Sequence, residues 1–459
     1  MKNTAEKIEG NRNPDSKPLA FAPSLSWVAL GFLWLIFAMN ATSREIMFRV
    51  MPAIVDDFNL SADVVGQMVS LIMVSTGILS IFGASWSDKK GLGWARKYSG
   101  VWIVIGYTLF SILTGISALT SVVVGFVVLQ MIKNMFGGIG ESIEVSTVAE
   151  WWPRERRGFA LGAHHSAYPW GTLLSGLLIS AVLVVFEGSW RMPFLLIPLI
   201  MIPIYIAYWL FSTAENFKKY EKTAINMNYT PTLDEKEVKK NKKGDILLLL
   251  KNPNILIGTL CVLLGQAAFT GLNFWLAPYL AFVGEFDYAA AAGWSVIFTI
   301  TGGIGQIFWG NISDKIGRKK TLLISFSWLS VALILFQFSA ENLMWLIGIQ
   351  LFAGMCTNAI FPVVFSLITD SAKSGSTGTA MGIAMTGMYL GAASPLVLGY
   401  LINQGGGWSS YSGYITGLYF LASCMIIALL LTLLFTRETV GEKRGKDWAL
   451  VKKESCGIE

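Results

Sequence analysis

Six ionisable residues stand inside stretches that are otherwise apolar: Arg44, Glu45 and Arg49 in one, Lys133, Glu141 and Glu144 in another. At the centre of an apolar span such a residue costs about 2.5–3.5 kcal/mol on insertion scales, so it faces a partner or a wet cavity. Their types say what they can do. A guanidinium stays protonated and presents a planar fork of donors that suits carboxylate, sulfonate or phosphate. A carboxyl group in a poorly hydrated cavity can load and release a proton near neutrality. Together, Arg44 and Glu141 have the chemistry to couple the entry of an anion to the entry of a proton.

Spacing sorts these residues further. At helical periodicity Lys133, Glu141 and Glu144 fall within an arc of about 80°, which places them on one face. Asn40 lies one turn before Arg44. Arg49 can pair with Glu45 at i,i+4, and Glu144 stands close enough to the end of its span to reach water. His164 and His165, the only histidines, open a later apolar stretch. Their titration near neutrality suits a proton relay, with interfacial packing as the alternative. The second half of the chain has no charge inside an apolar stretch. Its contribution is therefore neutral: "GLNFWLAPYL" offers Asn273, Trp275 and Tyr279 to cup a substrate, and Tyr168, Asn358 and Tyr389 are further candidates. Aromatic side chains in spans also serve as packing or interface anchors.

The elements that carry these residues are legible from charge. Of the 459 residues, 54% are hydrophobic and 14% charged, against about 25% charged in soluble domains. No Asp, Glu, Lys or Arg occurs between Lys17 and Arg44, Lys251 and Glu285, or Lys373 and Arg437. A bilayer needs roughly 20 apolar residues per helix, so the first two gaps hold one span each and the last holds two. Spans are expected at 25–55, 62–86, 98–119, 122–149, 158–184, 191–212, 254–282, 289–312, 321–339, 343–368, 376–403 and 411–436. The expected fold class is an all-α integral membrane protein of twelve transmembrane helices.

With the N-terminus inside, 31 of the 35 Lys and Arg fall in cytoplasmic segments; Arg44, Arg49, Lys133 and Arg191 are the exceptions. Positive charge resists translocation, which predicts a multi-pass plasma-membrane protein (inner membrane in a Gram-negative cell) with both termini cytoplasmic. The same placement argues against a nucleic-acid surface. Residues 1–24 and 437–459 read as cytoplasmic tails flanking two six-helix bundles, 25–212 and 253–436. The connection 213–252 reads as a solvated linker or short surface helices. No cleavable signal region opens the chain, and the four cysteines have no metal-ligand spacing. No metal, cofactor or enzymatic reaction is expected.

A repeat supports the two halves. "GASWSDKKGLGWARK" follows the second expected span and "GNISDKIGRKK" the eighth. Gly158, Gly162 and Gly171 have the same spacing as Gly378, Gly382 and Gly391, which suits close helix approach. "GNISDKIGRKK" resembles the loop signature of the major facilitator superfamily, with a degraded first copy in which Ala84 replaces the usual glycine and extra residues precede Arg96. The resemblance spans about residues 25–436. It implies two six-helix bundles rocking about a central cavity, and it gives Asp314 and Arg318, with Asp88 as a weaker copy, a role in gating. The stretch "GTLLSGLL" lacks the run typical of the family's drug antiporters.

"NATSREIMFRVMPAIVDDFNLS" is similar to the first helix of the anion:cation symporter branch, with Asn40, Arg44, Pro52 and Phe58 through Ser61 at its spacing. In that branch the arginine grips the substrate anion. Ser43 stands where an aspartate is common, which puts the proton role of that aspartate in doubt. Glu141 lies nearer Trp151 than the branch's fourth-helix glutamate, whose place Gly137 takes. The expectation is a proton-coupled importer of a small organic anion, a sugar acid or other carboxylate, working as a monomer in the lipid bilayer. Substrate binding falls to Arg44, Asn40, Tyr168, Asn273, Trp275 and Tyr279, and proton coupling to Glu141, Glu144, Glu45 and His164. An efflux antiporter or anion exchanger is the nearest alternative, and a non-transporting membrane sensor one of another class.

Overall fold

The structure, a computed structural model, describes residues 21–91, 93–116, 118–153, 156–229, 231, 249–372 and 377–440. Most of the expected tails and the middle of the expected linker lie outside the described residues. Twelve helices carry the fold: α1 (Ser24–Phe58), α2 (Ala62–Lys90), α3 (Gly93–Ile116), α4 (Val123–Glu150), α5 (Phe159–Val185), α6 (Arg191–Phe211), α7 (Pro253–Phe282), α8 (Tyr288–Ile316), α9 (Arg318–Phe338), α10 (Leu343–Ser371), α11 (Ala380–Gln404) and α12 (Tyr411–Phe435). All except α2 qualify as membrane spans on length and hydropathy among the described residues. α2 runs unbroken for 29 residues in the place of the second expected span. At about 1.5 Å rise per residue each is long enough to cross the hydrocarbon layer.

Several helices are broken, and the breaks show how backbone polarity is handled without water. α1 is interrupted at Val50, just before Pro52, whose nitrogen has no proton to give. α8 is interrupted between Trp294 and Phe298. There the Gln350 amide of α10 donates to the Trp294 carbonyl at 2.7 Å and accepts from the Phe298 N–H at 3.2 Å. In α11 the break falls between Gly391 and Ser394. Ser70 of α2 fills it, donating to the Ala393 carbonyl and accepting from the Leu396 N–H, both at 2.9 Å. A side chain of one half thus completes the backbone of the other.

Packing follows the repeat. In the first half α1 packs on α5, α2 on α4 and α3 on α6; in the second, α7 packs on α11, α8 on α10 and α9 on α12. Gly171 and Gly391, last of each glycine triplet, make equivalent close approaches. A Cβ on Gly171 would collide with the Ala38 backbone of α1, and one on Gly391 with the Leu263 backbone of α7. Gly162 and Gly382 face open space instead, so packing explains the last glycine of each triplet but not the middle one. The start of the expected linker is ordered: the helix Ala214–Asn226 buries Phe217, Tyr220 and Ala224 against the first half, with Phe217 edge-on to Trp151.

The halves meet along α2–α11, α5–α8 and α1–α7. The hydrogen bonds that join them cluster toward the end remote from the chain termini. Besides Ser70, the Trp408 indole donates to the Leu60 carbonyl at 2.6 Å, and the Tyr288 hydroxyl donates to Asp56. Between α2 and α11, Gly66 and Gly399 face each other so closely that a Cβ on Gly399 would strike the Ala62 carbonyl and the Gly66 Cα. That end is closed by backbone-to-backbone contact.

Gly399→Leu should therefore force α2 and α11 apart and destabilise this arrangement by about 1–3 kcal/mol, the usual cost of overpacking. The expected outcome is a lower Tm together with faster labelling of a cysteine introduced at Ser61 by a membrane-impermeant thiol reagent. Unchanged labelling would show that this contact does not close the remote end.

Candidate functional site

α1 and α4 bring the central charges together. Arg44 donates to Glu141 Oε2 at 3.0 Å, and the two side chains keep 17% and 27% of their surface exposed. One turn earlier on α1, Asn40 is buried and donates to the Gly137 carbonyl of α4 at 3.4 Å, while its own Oδ1 has no partner. Gly137 permits this approach, because a Cβ there would lie 3.3 Å from that oxygen and 3.1 Å from the Tyr107 ring. Lys133 is also turned to α1. It is fully buried, donates to the Ser43 carbonyl at 3.3 Å, and stands over the Tyr107 and Phe194 rings at 5.6 and 5.1 Å. Cation–π attraction and one carbonyl thus replace a counter-ion.

The adjacent residue on α1 points elsewhere. Glu45 and Arg49 pair at 2.6 Å as expected for i,i+4, and both are sealed, at 1% and 0% exposure. Their partners lie across the interface between halves. Arg49 donates to the Asn273 carbonyl of α7 at 3.0 Å, to the Asn273 side-chain oxygen, and to Ser295 of α8 at 3.1 Å. The Asn273 amide returns two bonds to Glu45, at 2.8 and 3.0 Å. Tyr168 of α5 reaches Glu45 from the other side at 3.4 Å. Asn273 and Tyr168 therefore meet a charged pair, though it is not the pair at Arg44.

Other expected site residues are placed differently. Trp275 and Tyr279 turn into the second half's own core: Trp275 packs on Trp408 and Tyr414, and Tyr279 packs on Tyr414 and donates to the Gln337 carbonyl. They line a separate small cavity within that half, with about 20 Å³ open to water-sized molecules. Glu144 does not reach the protein surface; it is buried, with His164 Nε2 3.6 Å away. His164 stacks on Phe37, with His165 edge-on to the same ring.

The repeated loop builds a second set of charges near the chain termini. Arg318 pairs with Asp314 at 2.6 Å and with Asp370, at the end of α10, at 3.4 Å. It also donates to Ser313. In the first half Arg96 takes the equivalent place: it holds Glu150, at the end of α4, at 2.6 Å and donates to Ser87 at 3.1 Å. The short turn Gly93–Arg96 thus carries the arginine of the degraded first copy back to the equivalent position. The side chain of Asp88 lies outside the described residues. Arg96, Glu150 and Asp370 are partners that sequence reading missed, although the equivalent positions of the two carboxylates in the repeat were a usable signal. Glu438 was not foreseeable: it accepts from the backbone N–H groups of Arg318 and Lys319 at 2.7 and 3.1 Å, capping the start of α9.

Among the described residues no group of His, Cys, Asp and Glu is placed to hold a metal ion. The sequence profile of the Major Facilitator Superfamily matches residues 33–295 and 284–454. The chain is 25% identical over 435 residues to the hexuronate transporter of Bacillus subtilis, covering 91% of this chain and 96% of that protein. It is 25% identical over 436 residues to a probable sulfoacetate transporter, SauU, of Cupriavidus necator, covering 91% and 96%. The cis,cis-muconate transport protein of Acinetobacter baylyi is 26% identical over 397 residues, covering 83% and 89%. Among solved structures, a bacterial homologue of the human lysosomal transporter Spinster superposes with a TM-score of 0.71 at 15% identity, covering 91% of this chain and 98% of that one. The chain is a multi-pass membrane transporter, not an enzyme, and it belongs to the Major Facilitator Superfamily.

Proposed function

We propose that this transporter carries a small organic anion, a sugar acid or another carboxylate, into the cell together with a proton. The observation that carries the reading is the Arg44–Glu141 pair, an arginine and a carboxylate held at 3.0 Å inside the first bundle yet still partly exposed. An arginine there needs a counter-charge. Glu141 supplies it in the empty protein, and a substrate carboxylate can replace it. Displaced from Arg44, Glu141 is left as a carboxylate in a poorly hydrated cavity, and a proton restores neutrality. Binding and protonation are then one exchange of partners. The names of the relatives, which are transporters of hexuronate, sulfoacetate and muconate, support an anionic cargo. The excess of Lys and Arg near the chain termini supports a cytoplasmic placement of that end.

The closed remote end and the repeated charge sets support alternating access. In this reading Asp314 and Arg318, with Asp88 in the first copy, belong to the opposite gate, beside the paired Arg96–Glu150 and Arg318–Asp370.

Two substitutions test the exchange. Arg44→Lys keeps the charge but loses the bidentate fork, so affinity for the anion should fall by at least ~1.4 kcal/mol, about tenfold. Calorimetry or a thermal-shift screen of organic acids on purified protein measures this; wild-type affinity in Arg44→Ala would remove the anion reading. Glu141→Gln keeps size and hydrogen bonding but carries no exchangeable proton. Proteoliposomes with this variant should lose uphill uptake driven by a pH gradient and retain exchange of labelled for unlabelled substrate. Continued concentration of substrate would place the coupling acid elsewhere.

A further inference from the structure

Glu144 stands on α4 one turn beyond Glu141, and the two carboxyl groups have opposite surroundings. Glu141 is held by Arg44 and partly exposed. Glu144 is 8% exposed; among the described residues its Oε2 has no hydrogen-bond partner and the only base in reach is His164, with Nε2 at 3.6 Å. His164 is fully buried, and neither of its ring nitrogens is hydrogen-bonded among the described residues. Its ring lies flat on Phe37, 4.7 Å between centres.

Glu144 borders a small cavity inside the first bundle, lined by α1, α3, α4 and α6, with about 30 Å³ open to water-sized molecules. That is enough to hold water, which needs roughly 10–15 Å³. Asn40, Arg96, Tyr107, Tyr205 and Tyr208 give its wall polar groups. The other charged and titratable groups packed around Glu144 are already engaged or neutral. On α1, Arg44 is held by Glu141. On α3, Arg96 is held by Glu150, and Tyr107 borders the chamber. On α6 stand Tyr205, which donates to the Lys97 carbonyl, and Tyr208. α5 presents His164 and His165, α4 itself carries Lys133, which is turned to the Ser43 carbonyl, and α2 presents Thr76 beside Gly138.

A carboxylate sealed in this way without a counter-charge is far more costly than a neutral carboxyl group. We propose that Glu144, with His164 beside it, is a second proton site, loaded through water in the chamber and separate from the Arg44–Glu141 pair. Its use in transport rests on the proton-coupled reading above. Glu141 is engaged until an anion displaces it, whereas Glu144 can hold a proton throughout the cycle. Loading forms one O–H bond on the carboxylate and breaks one in a hydronium ion, which leaves as water. Release breaks the carboxyl O–H bond and forms an N–H bond on His164 Nε2, giving imidazolium, or an O–H bond on water, giving hydronium.

The test needs no substrate. Infrared difference spectra of the purified protein, recorded as the buffer is taken from mildly alkaline to mildly acidic, report the carbonyl stretch of protonated carboxyl groups. The wild type should show a band that Glu144→Gln abolishes and Glu141→Gln retains, and His164→Gln should shift its titration midpoint. A band that survives Glu144→Gln overturns the proposal, as does one that sodium ions suppress at constant pH, which would mark a metal-cation site. If Glu144→Gln does not fold, the His164→Gln midpoint decides, and an unmoved midpoint overturns the pairing. Because no transport is measured, a failure here is distinguishable from a failure of proton-coupled uptake, which the Glu141→Gln proteoliposomes report.

Discussion

Arg44 and Glu45 are neighbours on one helix, and the protein depends on their pointing to different partners. Arg44 turns into its own half, where Glu141 holds it at 3.0 Å and both side chains stay partly exposed. Glu45 turns to the interface with the other half and is sealed there with Arg49. Each charge is neutralised, as the low-dielectric interior requires. A partly exposed pair can change partners, while a sealed one holds position. α1 thereby contributes to two ion pairs within two turns, one partly exposed and shared with α4, the other sealed.

The sealed pair also explains how two bundles can adhere and still part. Glu45 and Arg49 are on the same helix, so their charges stay together whichever way the halves move. What crosses the interface is neutral: the Asn273 amide, its carbonyl and the Ser295 hydroxyl. Separation would exchange these bonds for bonds to water and would leave no charge alone. The same economy appears at Ser70, which satisfies the broken backbone of α11 with two hydrogen bonds from a single hydroxyl. Around these points Gly66 and Gly399 let the backbones touch. Closure of this end is therefore built from many small contacts, neutral except for the Tyr288 bond to Asp56.

Much of this was legible in the sequence because membrane physics writes itself into charge placement. Gaps without charge located the spans, and the repeated loops located the halves. The isolated Arg44 and Glu141 were visible as a pair because few other charges competed for them. What stayed hidden depended on distance across the fold. The spacing in the first loop obscured Arg96, since the four-residue turn Gly93–Arg96 returns its side chain to a position that sequence counting misses. Asn273 was expected at a substrate and instead faces Glu45 and Arg49, because helix rotation is set by packing on α1 and not by residue type. Trp275 and Tyr279 turned inward for the same reason, to aromatic partners on the loop before α12 and on α12 itself. Nearness to a helix end made Glu144 look wet, but α3 and α6 fold over it.

The exchange of partners at Arg44 predicts a proton count. Purified protein in weakly buffered solution with a pH indicator, mixed with an organic acid that it binds, should take up about one proton for each anion bound as Glu141 leaves the arginine. The uptake should vanish in Glu141→Gln while anion binding persists. Anion binding to the wild type with no proton uptake would contradict the account, because Glu141 would then have been displaced without being neutralised, or not displaced at all.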